Sequence, residues 1–152
     1  MKEFWVLLNG LEAKASELSF SLTAADVVAS LKLSKKEIEK LAGAKVTVAS
    51  PAEDSDIRLV AGDQLLRQDL ETGRPTAAII EVASGGGEMK VVNAFAQGAS
   101  HVIIRCPDWK VIPLENVISK AGLKGKVLME VSDHRQAQLA LETLELGSDG
   151  VI

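Results

Sequence analysis

The sequence predicts an α/β fold in which short strands and helices alternate as repeated βα units. Short apolar runs such as residues 101–106 are typical of strands buried on both faces of a parallel sheet. They alternate with segments such as residues 114–121, whose apolar side chains recur at helical spacing. A weak internal repeat supports the same unit, because residues 98–103 and 147–152 both pass from a helix-ending glycine into a strand.

Right-handed crossovers between parallel strands lead to a closed barrel or to an open, doubly wound sheet. Eight strands at short spacing favour a TIM-like barrel, complete or incomplete, over the open sheet. A full barrel typically takes about 250 residues, whereas this chain has 152. We assign residues 1–152 to one βα-repeat domain, interpreted as the amino-terminal part of a longer architecture. The predicted strands are residues 4–8, 26–29, 45–49, 57–60, 76–82, 101–106, 127–131 and 150–152.

The helix after the second strand has the clearest boundaries. Ser34 and Glu37 are spaced as a capping box, Leu33 and Ile38 as a hydrophobic staple, and Gly43 ends the helix. The other predicted helices follow Asn9-Gly10, begin at Asp63, follow Gly87, and begin at Pro113 and Asp133.

Between the third and fourth strands the alternation breaks. Residues 50–55 are rich in turn-forming residues and are too few to hold a helix. We therefore expect one βα crossover to lack its helix.

Three glycines, Gly85–Gly87, stand between a strand and a helix whose apolar residues are Met89, Val92, Phe95 and Ala96. Backbone N–H groups in such a position can bind a phosphate or a dinucleotide pyrophosphate. The spacing lacks the G-x-G-x-x-G fingerprint. A surface turn is the favoured interpretation.

Composition excludes several classes of function. A net charge of −4 and a pI near 5.2 argue against a nucleic-acid partner, which requires clustered Lys and Arg. No stretch approaches the roughly 20 apolar residues that a membrane span needs, and the amino terminus lacks the layout of a signal peptide. The single cysteine, Cys106, excludes an internal disulfide and predicts a cytoplasmic protein.

The most informative stretch is the loop of residues 108–116, Asp-Trp-Lys-Val-Ile-Pro-Leu-Glu-Asn, between a strand and a helix. Pro113 suits the first helical position, so Glu115 and Asn116 fall in the first turn beside unpaired backbone N–H groups. In parallel βα architectures the carboxyl ends of the strands form the edge that binds ligands. This loop is therefore the first candidate for a functional site.

The loop also carries a family resemblance. Together with the following strand, the pattern Ala-x-x-Ala-Leu-Glu-x-Leu-x-x-Gly-x-Asp-Gly-Val at residues 137–151 and the opening at residues 1–6, it resembles the 3-dehydroquinate synthase II family. The resemblance is dense over residues 100–152, looser over 1–50 and thin over 51–99. It implies an enzyme that uses NAD to deaminate oxidatively and cyclise 2-amino-3,7-dideoxy-D-threo-hept-6-ulosonate to 3-dehydroquinate, in the shikimate pathway of aromatic amino acid biosynthesis.

That reaction needs proton transfer at an amine and next to a carbonyl, beside a hydride path to the nicotinamide. Residue roles are assigned from this chemistry. The predicted catalytic residues are Asp108, Lys110, Glu115 and Glu130, and the predicted substrate-binding residues are Arg105, Trp109 and Asn116. The residues at predicted carboxyl ends of strands outside the central loop are Asn9, Ser50, Glu81, Ser84, Arg105 and Glu130, and for any one of them taken alone a structural role is the favoured interpretation.

Alternatives stay open at this stage. Trp109 could cap the barrel core while Glu115 and Asn116 satisfy the helix amino terminus. At the level of function, the alternative is a non-catalytic βα domain that binds a small acid or a partner subunit. A barrel enzyme for phosphorylated sugars would hold phosphate in its last βα loops, which the sequence does not visibly contain.

No metal is predicted, because His101, Cys106 and His134 match no ligand spacing. The run Ser132-Asp133-His134 is interpreted as a helix cap and not as a catalytic triad.

The carboxyl end has the residue types of a strand that pairs with its neighbours. We expect residues 150–152 to pair with residues 127–131, leaving an apolar seam and a tendency to self-associate unless the first strand closes on it. Residues expected on one rim are Asn9, Ser50, Ser84, Asp108 and Glu130. Residues expected to be buried against the sheet are Leu114, Val117, Ile118, Ala137, Leu141 and Leu144.

Overall fold

A computed structural model describes residues 3–8, 19–61, 73–82, 87–106, 125–133, 135–138 and 150–152. Each of the eight predicted strands is present with bounds shifted by at most a few residues, and the predicted helices that begin at Asp63 and Pro113 lie outside the described residues. In chain order the elements are β1 (Glu3–Leu7), α1 (Ser19–Ala24), β2 (Val27–Ala29), α2 (Lys35–Ala42), β3 (Val48–Ser50), β4 (Ile57–Ala61), β5 (Thr76–Glu81), α3 (Gly87–Gln97), β6 (His101–Arg105), β7 (Lys126–Met129) and β8 (Gly150–Val151).

The eight strands close into a barrel in which each pairs in parallel with the next. Strand β8 completes the ring: Val151 is paired with Met129 of β7 and with Phe4 of β1. The Ile152 N–H donates to the Met129 carbonyl, and the Val131 N–H donates to the Ile152 carbonyl. The expected pairing of the carboxyl end is confirmed, and the barrel is the alternative that the strand order supports. Because β1 closes on β8, the open seam that would have led to self-association is not formed.

Alternate residues of each strand fill the barrel, as the two-residue period of a strand requires. Trp5 is the largest of them and is almost fully buried. The apolar side chains that pack together inside are Trp5, Val27, Ala29, Ala49, Ile57, Leu59, Ala77, Ile79, Ile103, Leu128 and Ile152. Small alanines beside one large indole let the layers interdigitate at the density of a protein core.

The helices cover the outer face. Helix α2 begins as the sequence predicts: Ser34 accepts a hydrogen bond from the Glu37 N–H, and the Glu37 carboxylate accepts one from the Ser34 N–H. Gly43 ends the helix with φ of 68°, a left-handed conformation that glycine adopts without strain. Ile38 is buried and Leu33 packs against the same apolar cluster, as a hydrophobic staple requires.

The connection between β3 and β4 is short and has no helix, as predicted. Parallel neighbours usually need a crossover of about a dozen residues or more, yet only residues 51–56 join these two. Side chains satisfy the tight backbone: the Ser55 hydroxyl donates to the carbonyls of Ser50 and Ala52, and Arg74 Nη1 donates to the Glu53 carbonyl at 2.6 Å.

Helix α3 exists where it was expected, and of the four apolar residues predicted on it Phe95 is buried. Val91, Ala94 and Phe95 are buried together with Gly87, whereas Met89 is 57% exposed. Of the other predicted apolar residues, Val92 is partly buried and Ala96 is exposed. The small residues Gly87 and Ala94 turn inward instead, because they let the helix approach the sheet closely.

Gly87 fixes how closely α3 approaches the end of β5. A Cβ atom at this position would overlap the side chain of Val82, with Cγ2 only 2.8 Å away, and Val82 is 2% exposed. Gly87→Ala should therefore lower the free energy of unfolding by about 1–3 kcal/mol, the usual cost of overpacking.

Denaturant unfolding of the single and double variants checks this prediction. Gly87→Ala combined with Val82→Ala should lose clearly less stability than the two single changes added together. Strict additivity would mean that the two side chains do not compete for the same space.

A cluster of charged side chains lies at the amino-terminal mouth of the barrel. Glu3 pairs with Lys126, accepts a hydrogen bond from Trp5 Nε1 at 2.9 Å, and has His101 Nε2 3.7 Å from its Oε2. Lys126 reaches across β8 to make this contact. Burial acts to raise the pKa of Glu3, but the hydrogen bonds from Lys126 and Trp5 outweigh it, so the pKa lies below its ordinary value of 4.5. The ionised carboxylate therefore ties β1 to β7 at the closure of the barrel.

Glu3→Gln should lower the free energy of unfolding at pH 7 by about 1 kcal/mol, as expected for a partly buried ion pair with one further hydrogen bond. Because the folded pKa of Glu3 is lowered, its stabilisation is present above the ordinary value of 4.5 and is lost as the pH falls through the folded value. The stability curves of the wild type and variant should converge at acid pH. Glu39→Gln on α2 is the control, and an equal effect there would contradict the assignment.

Candidate active site

Three charged residues stand at the carboxyl-terminal mouth of the barrel. Ile79, Ile103 and Leu128 belong to the barrel interior. Glu81 and Arg105 come two residues after Ile79 and Ile103 and end β5 and β6. Glu130 comes two residues after Leu128, directly after the last residue of β7. Side chains two apart on a strand share a face, so all three belong to the inner face of the barrel, above its apolar core.

The strand register brings these residues together. Glu81 is paired with Arg105 across β5 and β6, and the Glu130 N–H donates to the carbonyl of Ile104, beside Arg105. Neighbouring parallel strands therefore carry a negative, a positive and a negative side chain in that order. The predicted substrate-binding residue Arg105 and the predicted catalytic residue Glu130 are adjacent in space, although 25 positions separate them in the sequence.

Arg105 makes a closer contact with Glu130 than with Glu81. Its Nε donates to Glu130 Oε2 at 2.7 Å, while its Nη1 lies 3.7 Å from Glu81 Oε1, which is longer than a hydrogen bond. Its Nη2 is buried and has no hydrogen-bond acceptor within the described parts of the chain. Most of the Glu81 side chain, 74%, is exposed, against 28% for Glu130. The guanidinium is thus fixed at Nε and keeps donors for a ligand.

Two cavities open beside this cluster, and Arg105 lines both. One of about 570 Å³ has Glu81, Lys90, Ile79, Ala61 and Leu31 among its walls. The other, of about 240 Å³, is lined by Glu130, Cys106, Val131, Ser132 and Gln136 as well as Arg105. Ligand pockets are typically about 300–1,000 Å³ in volume with a few polar groups in an apolar wall. The larger cavity has that size, and half of its described lining residues are polar or charged, including Asn93 and Gln97 of α3.

The smaller cavity is bordered by a helix start that matches the predicted cap. Asp133 accepts a hydrogen bond from the Gln136 N–H at 2.9 Å, and Gln136 Oε1 accepts from the N–H and hydroxyl of Ser132. Residues 135–138 are helical. The reciprocal bonds hold Ser132 and Gln136 at the mouth beside Glu130, which agrees with a capping role for Ser132 and Asp133.

The structure describes two of the other predicted positions, Ser50 and Ala137. Ser50 is at the carboxyl end of β3, on the same rim as Glu130, but it is fully buried and its hydroxyl accepts from the Ala52 N–H, a structural role. Ala137 is partly buried against the apolar cluster of the sheet. The predicted residues that lie outside the described part of the chain are Asn9, Ser84, Asp108, Trp109, Lys110, Leu114, Glu115, Asn116, Val117, Ile118, Leu141 and Leu144.

Sequence reasoning named Glu81 as a strand-end residue without giving it a role, and it overlooked the Glu3, His101 and Lys126 cluster. The alternation of each strand was the available signal, since Glu81 continues the inward series of Ala77 and Ile79. Which strands are neighbours was needed as well. Within the described ranges, no three His, Cys, Asp or Glu side chains are grouped to hold a metal ion, and no helix is long and apolar enough to cross a membrane.

A closed barrel of eight parallel strands, with charged side chains gathered in its carboxyl-terminal mouth, defines a TIM-like α/β barrel of the kind that holds ligands at this rim. Over residues 1–152 the sequence matches the family described as 3-dehydroquinate synthase II N-terminal domain. The chain belongs to that family.

Relatives named 3-dehydroquinate synthase agree with the family match. The protein from Methanosphaera stadtmanae is 34% identical over 158 residues, covering 100% of this chain and 44% of the relative. That from Methanobrevibacter smithii is 34% identical over 138 residues, covering 76% of this chain and 36% of the relative. A 3-dehydroquinate synthase homolog from Aquifex aeolicus is 30% identical and covers 100% of this chain and 39% of its own length. The chain spans less than half the length of these relatives.

The contact between Arg105 and Glu130 can be tested by a double-mutant cycle. Arg105→Gln and Glu130→Gln should couple by about 1 kcal/mol in unfolding free energy, a value set by their partial exposure to solvent, and added salt should reduce it. Arg105→Gln with Glu81→Gln should couple far less, because the 3.7 Å separation is not a hydrogen bond. Equal coupling in the two cycles would contradict this geometry.

Proposed function

We propose that this chain forms the amino-terminal part of a 3-dehydroquinate synthase II, which uses NAD to deaminate oxidatively and cyclise 2-amino-3,7-dideoxy-D-threo-hept-6-ulosonate to 3-dehydroquinate. The observation that carries the proposal is the cluster of Glu81, Arg105 and Glu130 in the mouth of a barrel that belongs to this family. The names of the relatives support the product of the reaction.

The cluster supplies groups that this chemistry needs. Glu130 acts as an acid or base: a carboxylate hydrogen-bonded to Arg105 Nε keeps its second oxygen for a proton next to the reacting carbon. Arg105 binds and orients the acidic substrate through the donors that Glu130 leaves unused. Ile79 and Ala61 give one side of the cavity an apolar wall.

The loop of residues 108–116 completes the site in this proposal. In the sequence it follows β6, which ends at Arg105. Lys110 binds a carboxylate or carries a proton, Asp108 and Glu115 act as acid or base, and Trp109 and Asn116 contact the substrate. These roles are assigned from the chemistry of the reaction.

In this proposal NAD would supply the hydride acceptor that oxidation of the amine-bearing carbon needs. Arg105 is used for the substrate in this proposal, and Gly87 packs against the buried side chain of Val82, so neither is assigned to the dinucleotide.

Glu130→Gln should lower kcat by about 10²–10⁴-fold, the usual contribution of a general acid or base. The assay follows NADH absorbance with the heptulosonate substrate and NAD, for this chain and for a longer protein that contains it. Glu39→Gln, which removes a carboxylate from the outer helix α2, should leave kcat unchanged. Thermal unfolding of each variant verifies that the barrel is intact.

Substrate-dependent NADH formation that is unchanged in Glu130→Gln would remove Glu130 from the chemistry. If neither the chain nor the longer protein formed NADH, a non-catalytic domain that binds a small acid would replace the proposed enzyme.

A further inference from the structure

Opposite charges face the same cavity at the barrel mouth. Glu81 and Arg105 both line the space of about 570 Å³, and Glu81 Oε1 lies 3.7 Å from Arg105 Nη1. A satisfied charge-assisted pair would be about 2.7–2.9 Å apart. The two groups are close enough to be bridged by one small ligand and too far apart to satisfy each other.

Arg105 is prepared for a carboxylate. Glu130 fixes the guanidinium through Nε at 2.7 Å, so little side-chain freedom remains to be lost on binding. Nη2 is buried without an acceptor in the described part of the chain. Buried donors are rarely left unpaired, and guanidinium donors match the two oxygens of a carboxylate. A ligand carboxylate would supply the missing acceptor.

Glu81 is prepared for a cation. Its side chain is 74% exposed, and the Arg105 contact is its only described ion pair. Lys90 brings a second positive charge to the cavity wall. The charges of Glu81, Glu130, Arg105 and Lys90 cancel, so the site does not favour a ligand with a large net charge of either sign. Leu31, Ala61 and Ile79 form an apolar surface for a carbon chain.

We infer that Glu81 and Arg105 recognise the α-amino acid head group of the substrate: Arg105 binds its carboxylate and Glu81 binds its ammonium group. The inference rests on the proposed function, in which the substrate carries both groups on adjacent carbons. It makes Glu81 a specificity-determining residue. Deamination removes the ammonium group, so one of the two contacts is lost when the reaction proceeds.

Binding without cofactor tests the inference, because no turnover then occurs. Isothermal titration calorimetry compares the amino substrate with the same heptulosonate lacking its 2-amino group. Wild-type protein should bind the amino compound at least about tenfold more tightly, as one charge-assisted hydrogen bond implies. Glu81→Gln should remove that preference by weakening the amino compound alone. Glu39→Gln is the matched control and should change neither affinity.

The wild-type comparison of the two ligands needs no variant, so it decides even if Glu81→Gln folds poorly. Equal wild-type affinities, or no binding of either ligand, overturn the inference, as does a Glu81→Gln change that weakens both ligands alike or neither. NADH formation is measured separately on the same protein. Turnover without amine-selective binding overturns only the head-group inference, whereas amine-selective binding without turnover overturns the proposed enzyme and leaves the head-group site in place.

Discussion

Closure of the parallel sheet by β8 is the constraint on which the rest of the structure depends. Two residues, Gly150 and Val151, pair on both sides, and without them β1 and β7 would present unpaired backbone groups. Closure makes inside and outside distinct for every strand. Alternate residues are then committed either to the barrel interior or to the layer of helices, which is why an indole as large as that of Trp5 can be almost fully buried.

The same alternation places charges at both mouths, with opposite outcomes. At the amino-terminal mouth, Glu3 meets Lys126 and the Trp5 indole, and the cluster joins β1 to β7 across β8. At the carboxyl-terminal mouth, Arg105 meets Glu130 but leaves Glu81 and its own Nη2 incompletely bonded. Satisfied charges stabilise a fold, whereas incompletely bonded charges beside a cavity are typical of a site that awaits a ligand. The charges at the amino-terminal mouth therefore stabilise the fold, whereas those at the carboxyl-terminal mouth form the candidate binding site.

The family match covers the whole chain, while the chain covers less than half of the relatives. A closed barrel nonetheless accounts for the described strands within this segment. Short connections make the barrel more compact, and the β3–β4 crossover is one of them because it has no helix. Ser55 and Arg74 donate hydrogen bonds to carbonyl groups in and beside this connection. In this crossover, side-chain hydrogen bonds to backbone carbonyls stabilise a connection that has no helix.

The sequence by itself determined the local structure: eight strands, the capped start and glycine end of α2, the missing helix before β4 and the cap at Asp133. Each follows from interactions between residues a few positions apart. It also pointed to Arg105 and Glu130, because a parallel sheet gathers the carboxyl ends of its strands. Only the tertiary structure decided that the sheet closes, which face of α3 is buried, and that Glu81 faces Arg105. Those outcomes depend on strand neighbours and on close packing, such as Gly87 against Val82, between residues whose contact no local pattern encodes.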